Sequence, residues 1–142
     1  MTFLKKSLAA GAVLALAGLT GSQLIAQDGA DATYTKAQAD AGRGEYAANC
    51  ASCHGDSLTG GEMAPELSGG GFLSNWNGQP VFDLFDRIRQ GMPPGKANLS
   101  RTVAADISAF ILSLNGTAAS DKPLDTKDEV LKTVKIRAKQ QQ

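Results

Sequence analysis

The chain has 142 residues, enough for one domain of ordinary size and little beyond it. Lysine plus arginine and aspartate plus glutamate number 14 each, so the chain is formally neutral, a balance that argues against a nucleic-acid partner. Two cysteines and one histidine limit the metal chemistry open to it.

Lys5 and Lys6 are followed by an apolar run from Leu8 to Leu19, broken at Gly11 and Gly18, and by a polar stretch of small residues ending near Ala26. This three-part layout predicts a secretory signal peptide over 1–26, cut after Ala26, and hence a periplasmic location. The apolar part is shorter than a usual membrane span. Membrane association is therefore expected only through a partner or through an uncleaved leader. The mature chain would carry 12 basic and 14 acidic side chains. They are unevenly spread: residues 27–120 hold 6 basic and 10 acidic groups, and 121–142 hold 6 and 4. A basic tail on an acidic body can dock on that body or on a partner, or stay solvated and frayed.

Residues 27–34 read as a flexible lead-in. Thr35 followed by Gln38 forms a capping-box signature, and helix formers from Ala37 to Asn49 carry a predicted helix into the cysteine motif, with Gly42 and Tyr46 on one face. The glycine-rich stretch from Gly55 to Gly78 lacks periodicity and predicts a long ordered loop with short turns. Val81, Leu84, Phe85 and Ile88 recur at helical spacing, giving a helix over 81–90 that Gly91 ends. Met92-Pro93-Pro94-Gly95 cannot continue it. Ser100 can cap a last helix in which Val103, Ile107, Phe110, Ile111 and Leu114 form one apolar stripe, closed at Gly116. No segment reads as a strand, so the predicted fold is all-α, with about three main helices and long loops. Such helices alone make a thin core, which a large flat apolar cofactor would complete.

The chemistry concentrates in Cys50-Ala51-Ser52-Cys53-His54. Two thiols three residues apart at a helix start can each bond one of two neighbouring haem vinyl groups, with the adjacent histidine held beneath the iron, and Cys-x-x-Cys-His is a haem-attachment pattern. In an exported chain a disulfide is the first alternative. A structural zinc site needs about four protein ligands, and three crowded into five residues, with no further Cys or His, make poor tetrahedral geometry. A thioredoxin-like pair belongs at a strand-to-helix junction near a βαβ pattern, which this chain lacks.

With His54 as the proximal iron ligand, no second histidine exists to be the sixth, and Met63 and Met92 are the candidates once Met1 is assigned to the leader. Met63 follows His54 closely in the loop leaving the proximal side, from which the opposite face is hard to reach. Met92 precedes two prolines, which stiffen the backbone and hold a weak thioether in place. The expected metal ligands are His54 and Met92, with Met63 as apolar filler.

Residues 35–116, from the helix bearing Gly42 and Tyr46 through Cys50-Ala51-Ser52-Cys53-His54 and Met92-Pro93 to the helix bearing Phe110, resemble a class I cytochrome c. The resemblance implies that fold around one covalently bound haem c, with the first and last helices crossing at Gly42, Tyr46 and Phe110. It also implies that in Pro65-Glu66-Leu67-Ser68-Gly69 the proline carbonyl accepts a hydrogen bond from the proximal histidine, which assigns Met63 to the proximal loop and sharpens the choice of Met92. Pro65 and Leu67 thereby join the cofactor-binding set. Gly60-Gly61-Glu62-Met63-Ala64-Pro65, Phe72, Asn75-Trp76, Met92-Pro93-Pro94 and Asn115-Gly116 are similar to small cytochromes and cytochrome domains that serve quinoprotein alcohol or sugar dehydrogenases, although no dehydrogenase domain is present. By that resemblance Trp76 contacts a haem propionate; the plainer reading is a packed aromatic with its N–H on a backbone carbonyl.

The expected protein is a periplasmic electron carrier with no catalytic residues of its own, because rigid six-coordination leaves no open iron site. His/Met ligation raises its potential relative to His/His. Its expected partners are a quinoprotein dehydrogenase or quinol oxidoreductase as donor and a terminal acceptor such as an oxidase. The alternatives are a haem subunit of a membrane oxidase or dehydrogenase complex, and a five-coordinate haem enzyme or sensor. The domain ends at 116 and a basic tail over 117–142 follows it.

Overall fold

The computed structural model describes residues 30–138 except Ala97, and the expected signal peptide at 1–26 lies outside the described residues. Helix α1, Lys36–Asn49, starts at the predicted cap, where Thr35 Oγ1 accepts the Gln38 N–H at 3.1 Å. The reciprocal half of the capping box does not form. Gln38 instead gives its side-chain amide to the backbone of Leu124, donating to the carbonyl at 3.2 Å and accepting the N–H at 2.7 Å. The Cys50 N–H still bonds to Tyr46 O, and a short helix α2, Ala51–His54, follows at once. It stops at Gly55, whose φ of +79° suits glycine.

Three further helices build the core. They are α3, Gly69–Trp76, α4, Val81–Gly91, and α5, Arg101–Leu114. The Ser100 hydroxyl accepts the Val103 N–H at 3.2 Å, as its capping position predicts. Helix α1 packs across α5 at backbone contact. A Cβ placed on Gly42 would lie 1.8 Å from the Asp106 carbonyl oxygen and 3.0 Å from Phe110 Cβ. Beside this crossing the Tyr46 and Phe110 rings meet with centroids 5.4 Å apart. Helix α4 packs on another side of α5 and buries Val81, Leu84, Phe85 and Ile88.

Helix α3 falls inside the stretch predicted to be loop. Three successive glycines have poor helix propensity, which hides it from a local reading. Its support comes from elsewhere in the chain: the Gly69 N–H is received by the Asn115 side-chain oxygen at 2.9 Å, whereas Ser68 makes no side-chain cap. The single apolar stripe expected on α5 is also exceeded. Leu114 is 45% exposed, while Ala104, Ala105, Ser108, Ala109 and Leu112 are buried with the stripe. Because α1 and α4 both pack against it, α5 is enclosed around much of its circumference, and its alanines permit the close approach.

Residues 117–138 lie on the body. Leu124, Leu131 and Ile136 are buried, and a short helix α6, Asp128–Leu131, is held by Arg101, which donates to Thr126 O at 2.7 Å and pairs with the Asp128 carboxylate. Strand β2, Val134–Lys135, runs parallel to β1, Ala30–Asp31, with Ala30 opposite Val134. The lead-in expected to be flexible is therefore held from Ala30 onward. Ala32 and Tyr34 are buried, and the Tyr34 hydroxyl donates to Thr117 O at 2.9 Å. These contacts join the two ends of the described chain, so no local pattern signals them. Among the described residues no helix is long and apolar enough to cross a membrane.

The crossing can be tested at Gly42. The facing Asp106 carbonyl is backbone and cannot swing aside, so Gly42→Ala must force α1 and α5 apart, at an expected cost of about 3 kcal/mol or more in denaturant unfolding. Gly44, on the same helix, faces open space. Gly44→Ala should gain up to about 1 kcal/mol from helix propensity. Equal effects at the two positions would contradict the crossing.

Candidate cofactor cleft

The turn carrying Cys50 and His54, the segment after Pro65, α3, α4 and α5 surround a cavity of about 430 Å³. Phe72, Leu84, Ile88, Ile107 and Ile111 make much of its wall apolar, while Gln79, Asp83 and Arg87 stand at polar positions along it. The helical spacing of the apolar residues on α4 and α5 is what turns them inward together. Of the residues singled out from the sequence, Cys50, His54, Pro65, Leu67, Trp76 and Met92 line this one cavity. Cys53 does not; it stands exposed on the adjoining turn. Met63 is 83% exposed, whereas Met92 sits at the C-terminal cap of α4 on the cavity wall.

His54 is buried at the end of α2, and its Nδ1 lies 2.8 Å from the Pro65 carbonyl oxygen. A carbonyl only accepts, so Nδ1 carries a proton, and in the neutral ring it is Nε2 that presents the lone pair. The intervening loop doubles back to make this bond possible. The Gly60 N–H donates to His54 O and the Gly61 N–H to Ala64 O, each at 2.9 Å. Gly60, at φ +72°, passes so near the returning strand of the loop that a Cβ would sit 2.5 Å from Glu66 N. On the other side of the histidine, the Tyr46 hydroxyl donates to Gly55 O at 2.7 Å.

Asn115 is a supporting residue whose role local reading missed. Its buried amide donates to Leu67 O at 2.9 Å and Ile111 O at 2.8 Å, and its oxygen receives the Gly69 N–H. One side chain thus fixes the Pro65–Leu67 wall to α5 and starts α3. The signal present was an amide directly after an apolar helix, which reads equally well as an ordinary helix end. Trp76 stacks on Phe72, with centroids 6.0 Å apart.

Burial, and after it the neighbouring Cys53, pushes the Cys50 thiol up to about 11. At neutral pH it is an uncharged thiol, unlike the lowered thiol of a disulfide-exchange motif. The donor set is therefore one imidazole lone pair and one thioether on the walls of an apolar cleft, with two thiols on the turn beside the imidazole.

The family described as cytochrome c oxidase, cbb3-type, subunit III matches residues 37–111, just over half of the chain, and the chain belongs to it. It is a class I cytochrome c with a haem electron-transfer role. Among solved structures, the sulfane dehydrogenase SoxCD from Paracoccus pantotrophus is similar: 27% identical at a TM-score of 0.52, with 93% of this chain and 68% of that chain covered. No curated protein matches. Family membership implies covalently bound haem c. The cleft fits it, since its walls are apolar, its imidazole has a free lone pair, and thiols flank that imidazole.

Burial pushes the Tyr46 hydroxyl from its usual 10 up to about 12, with Cys50 and Asp56 adding to the shift. Between those values the unfolded chain loses a proton that the folded chain keeps, so stability is complete below pH 10 and declines as pH rises toward 12. Tyr46→Phe should flatten that decline and cost about 1 kcal/mol at neutral pH from the lost hydrogen bond. Denaturant unfolding across the alkaline range measures both, and an unchanged slope in the variant would contradict the assignment.

Proposed function

We propose that this protein is a periplasmic carrier of single electrons with one haem c, ligated by His54 and Met92 and reduced by a dehydrogenase. The observation that carries the reading is the convergence of Cys50, His54 and Met92 on one apolar cleft, with His54 oriented by Pro65 at 2.8 Å.

Haem c, when bound, supplies a one-electron Fe(III)/Fe(II) couple. Cys50 and Cys53 would hold it through thioether bonds. The Pro65 carbonyl keeps the proton on His54 Nδ1, so that Nε2 remains free to ligate and gains basicity from the hydrogen bond. Met92 would supply a second donor, a thioether on a segment that Pro93 and Pro94 stiffen. Trp76, on the same wall, would meet a propionate. Phe72, Leu84, Ile107 and Ile111 line the cleft with apolar surface, which would disfavour the more highly charged oxidised centre and raise its potential. With His54 and Met92 both donating to it, the group would have no position open to substrate, and the chain would carry electrons without catalysing a reaction itself.

The dehydrogenase donor is supported by the similarity to a sulfane dehydrogenase and by the sequence resemblance to cytochromes that serve quinoprotein dehydrogenases. The signal-like layout of 1–26 supports export. A second reading, a haem subunit resident in an oxidase complex, is favoured by the family description as an oxidase subunit. Fractionation distinguishes the two: a carrier is released with the periplasm, and a resident subunit stays with the membranes.

The ligand assignment is tested optically. The oxidised protein should show the weak red methionine-to-iron charge-transfer band, lost in Met92→Ala and kept in Met63→Ala. Loss in the Met63 variant, or retention in the Met92 variant, would overturn it.

A further inference from the structure

We propose that residues 134–138 form a clamp that positions the outer lip of the cofactor cleft, so that the end of the chain tunes the redox centre; this rests on the electron-transfer reading above. The lip is Trp76, the last residue of α3, together with the short connection 77–80 that leads to α4. Trp76 and Gln79 both line the cleft, and Gly78 turns between them at φ +83°. Within itself the connection has little support. The Gln79 N–H bonds to Trp76 O, and the Asn77 N–H to Leu73 O, each at 3.0 Å.

The remaining support comes from the far end of the chain. The Gly78 N–H donates to Ile136 O at 2.7 Å, and the Ile136 N–H donates to Gln79 O at 2.9 Å. Pro80 pairs antiparallel with Lys135, and the Ala138 N–H donates to the Asn77 side-chain oxygen at 3.3 Å. Ile136 is wholly buried in the same core as Val81. The opposite edge of the clamp is secured too. The Ala32 N–H donates to Lys135 O at 2.8 Å, and Arg137 Nε lies 3.0 Å from the Asp31 carboxylate. Residues 134–138 are thus hydrogen-bonded along both edges, between the N-terminal strand and the lip, as an interior strand would be.

Two consequences follow for the centre. Trp76 and Gln79 line the cleft at this edge, so loosening the clamp would widen it to water, and a wetter cleft stabilises the more highly charged oxidised state. In addition, α4 begins at Val81, directly after the lip, and ends against Met92. A displaced lip therefore shifts the rigid helix that presents the thioether. Ile136 is a positioning residue: it acts through the lip and lies outside the set lining the cleft.

The experiment uses the full-length haem-loaded protein and compares Ile136→Ala with Leu124→Ala. Leu124 is equally a buried residue of the tail, but its backbone bonds to Gln38 on α1, away from the lip. Both variants should lose stability. Only Ile136→Ala should lower the reduction potential, weaken the methionine charge-transfer band and speed hydrogen exchange at the Gly78 amide, with Ile136→Val restoring most of each. Should the alanine variant fail to fold, the valine variant should still show a smaller downward shift. An unchanged potential with faster Gly78 exchange, or equal shifts in the Leu124 variant, would overturn the clamp and leave the electron-transfer reading standing. Failure of the unsubstituted protein to take up haem would overturn that reading, and the clamp with it.

Discussion

The hydrogen bond from His54 Nδ1 to the Pro65 carbonyl is the constraint around which the rest of the site is arranged. It needs a histidine whose other nitrogen is left free, a loop that turns back within eleven residues, and a glycine where that loop passes close to itself. Its net worth as a neutral hydrogen bond is only about 1 kcal/mol. Its structural reach is larger, because the segment it captures continues into Leu67, which Asn115 fastens to α5, and then into α3. A weak bond can hold such an arrangement when each of its partners is separately fixed by packing.

That packing has an unusual distribution. The close backbone contact of α1 on α5 at Gly42 involves none of the residues that line the cavity. The middle of the domain is instead apolar surface from α3, α4 and α5 facing a common space. A domain of this size buries a modest share of its surface, so helices that face a cleft contribute less cohesion directly to one another. Two features compensate: the bound cofactor that the family implies, and residues 117–138, which add Leu124, Leu131 and Ile136 to the core and tie both ends of the described chain together. The tail is a structural part of the domain.

Much of the site was legible in the sequence because its chemistry is local. Cys50, Cys53 and His54 are adjacent, Met92 is marked by the prolines after it, and Thr35 and Ser100 announce their helices through side chains that bond three residues on. The parts that were not legible depend on distant partners. Helix α3 opens on glycines and is capped by Asn115, Gln38 abandons its capping box for Leu124, and the flexible reading of 27–34 gave no hint that Ala30 and Asp31 pair with Val134 and Lys135. Each of these is set by tertiary contact overriding a local preference. The enclosed α5 is the same lesson in another form, because an apolar stripe reveals one buried face but not how many neighbours the helix has.

In the proposed function the cleft beside His54 holds one haem, bonded through both cysteines. Intact-mass measurement of the purified protein, paired with thiol alkylation, checks this. The expected result is a mass increased by one haem with neither Cys50 nor Cys53 alkylated. A haem-free mass with two reactive thiols, after production in cells able to attach c-type haem, would contradict it.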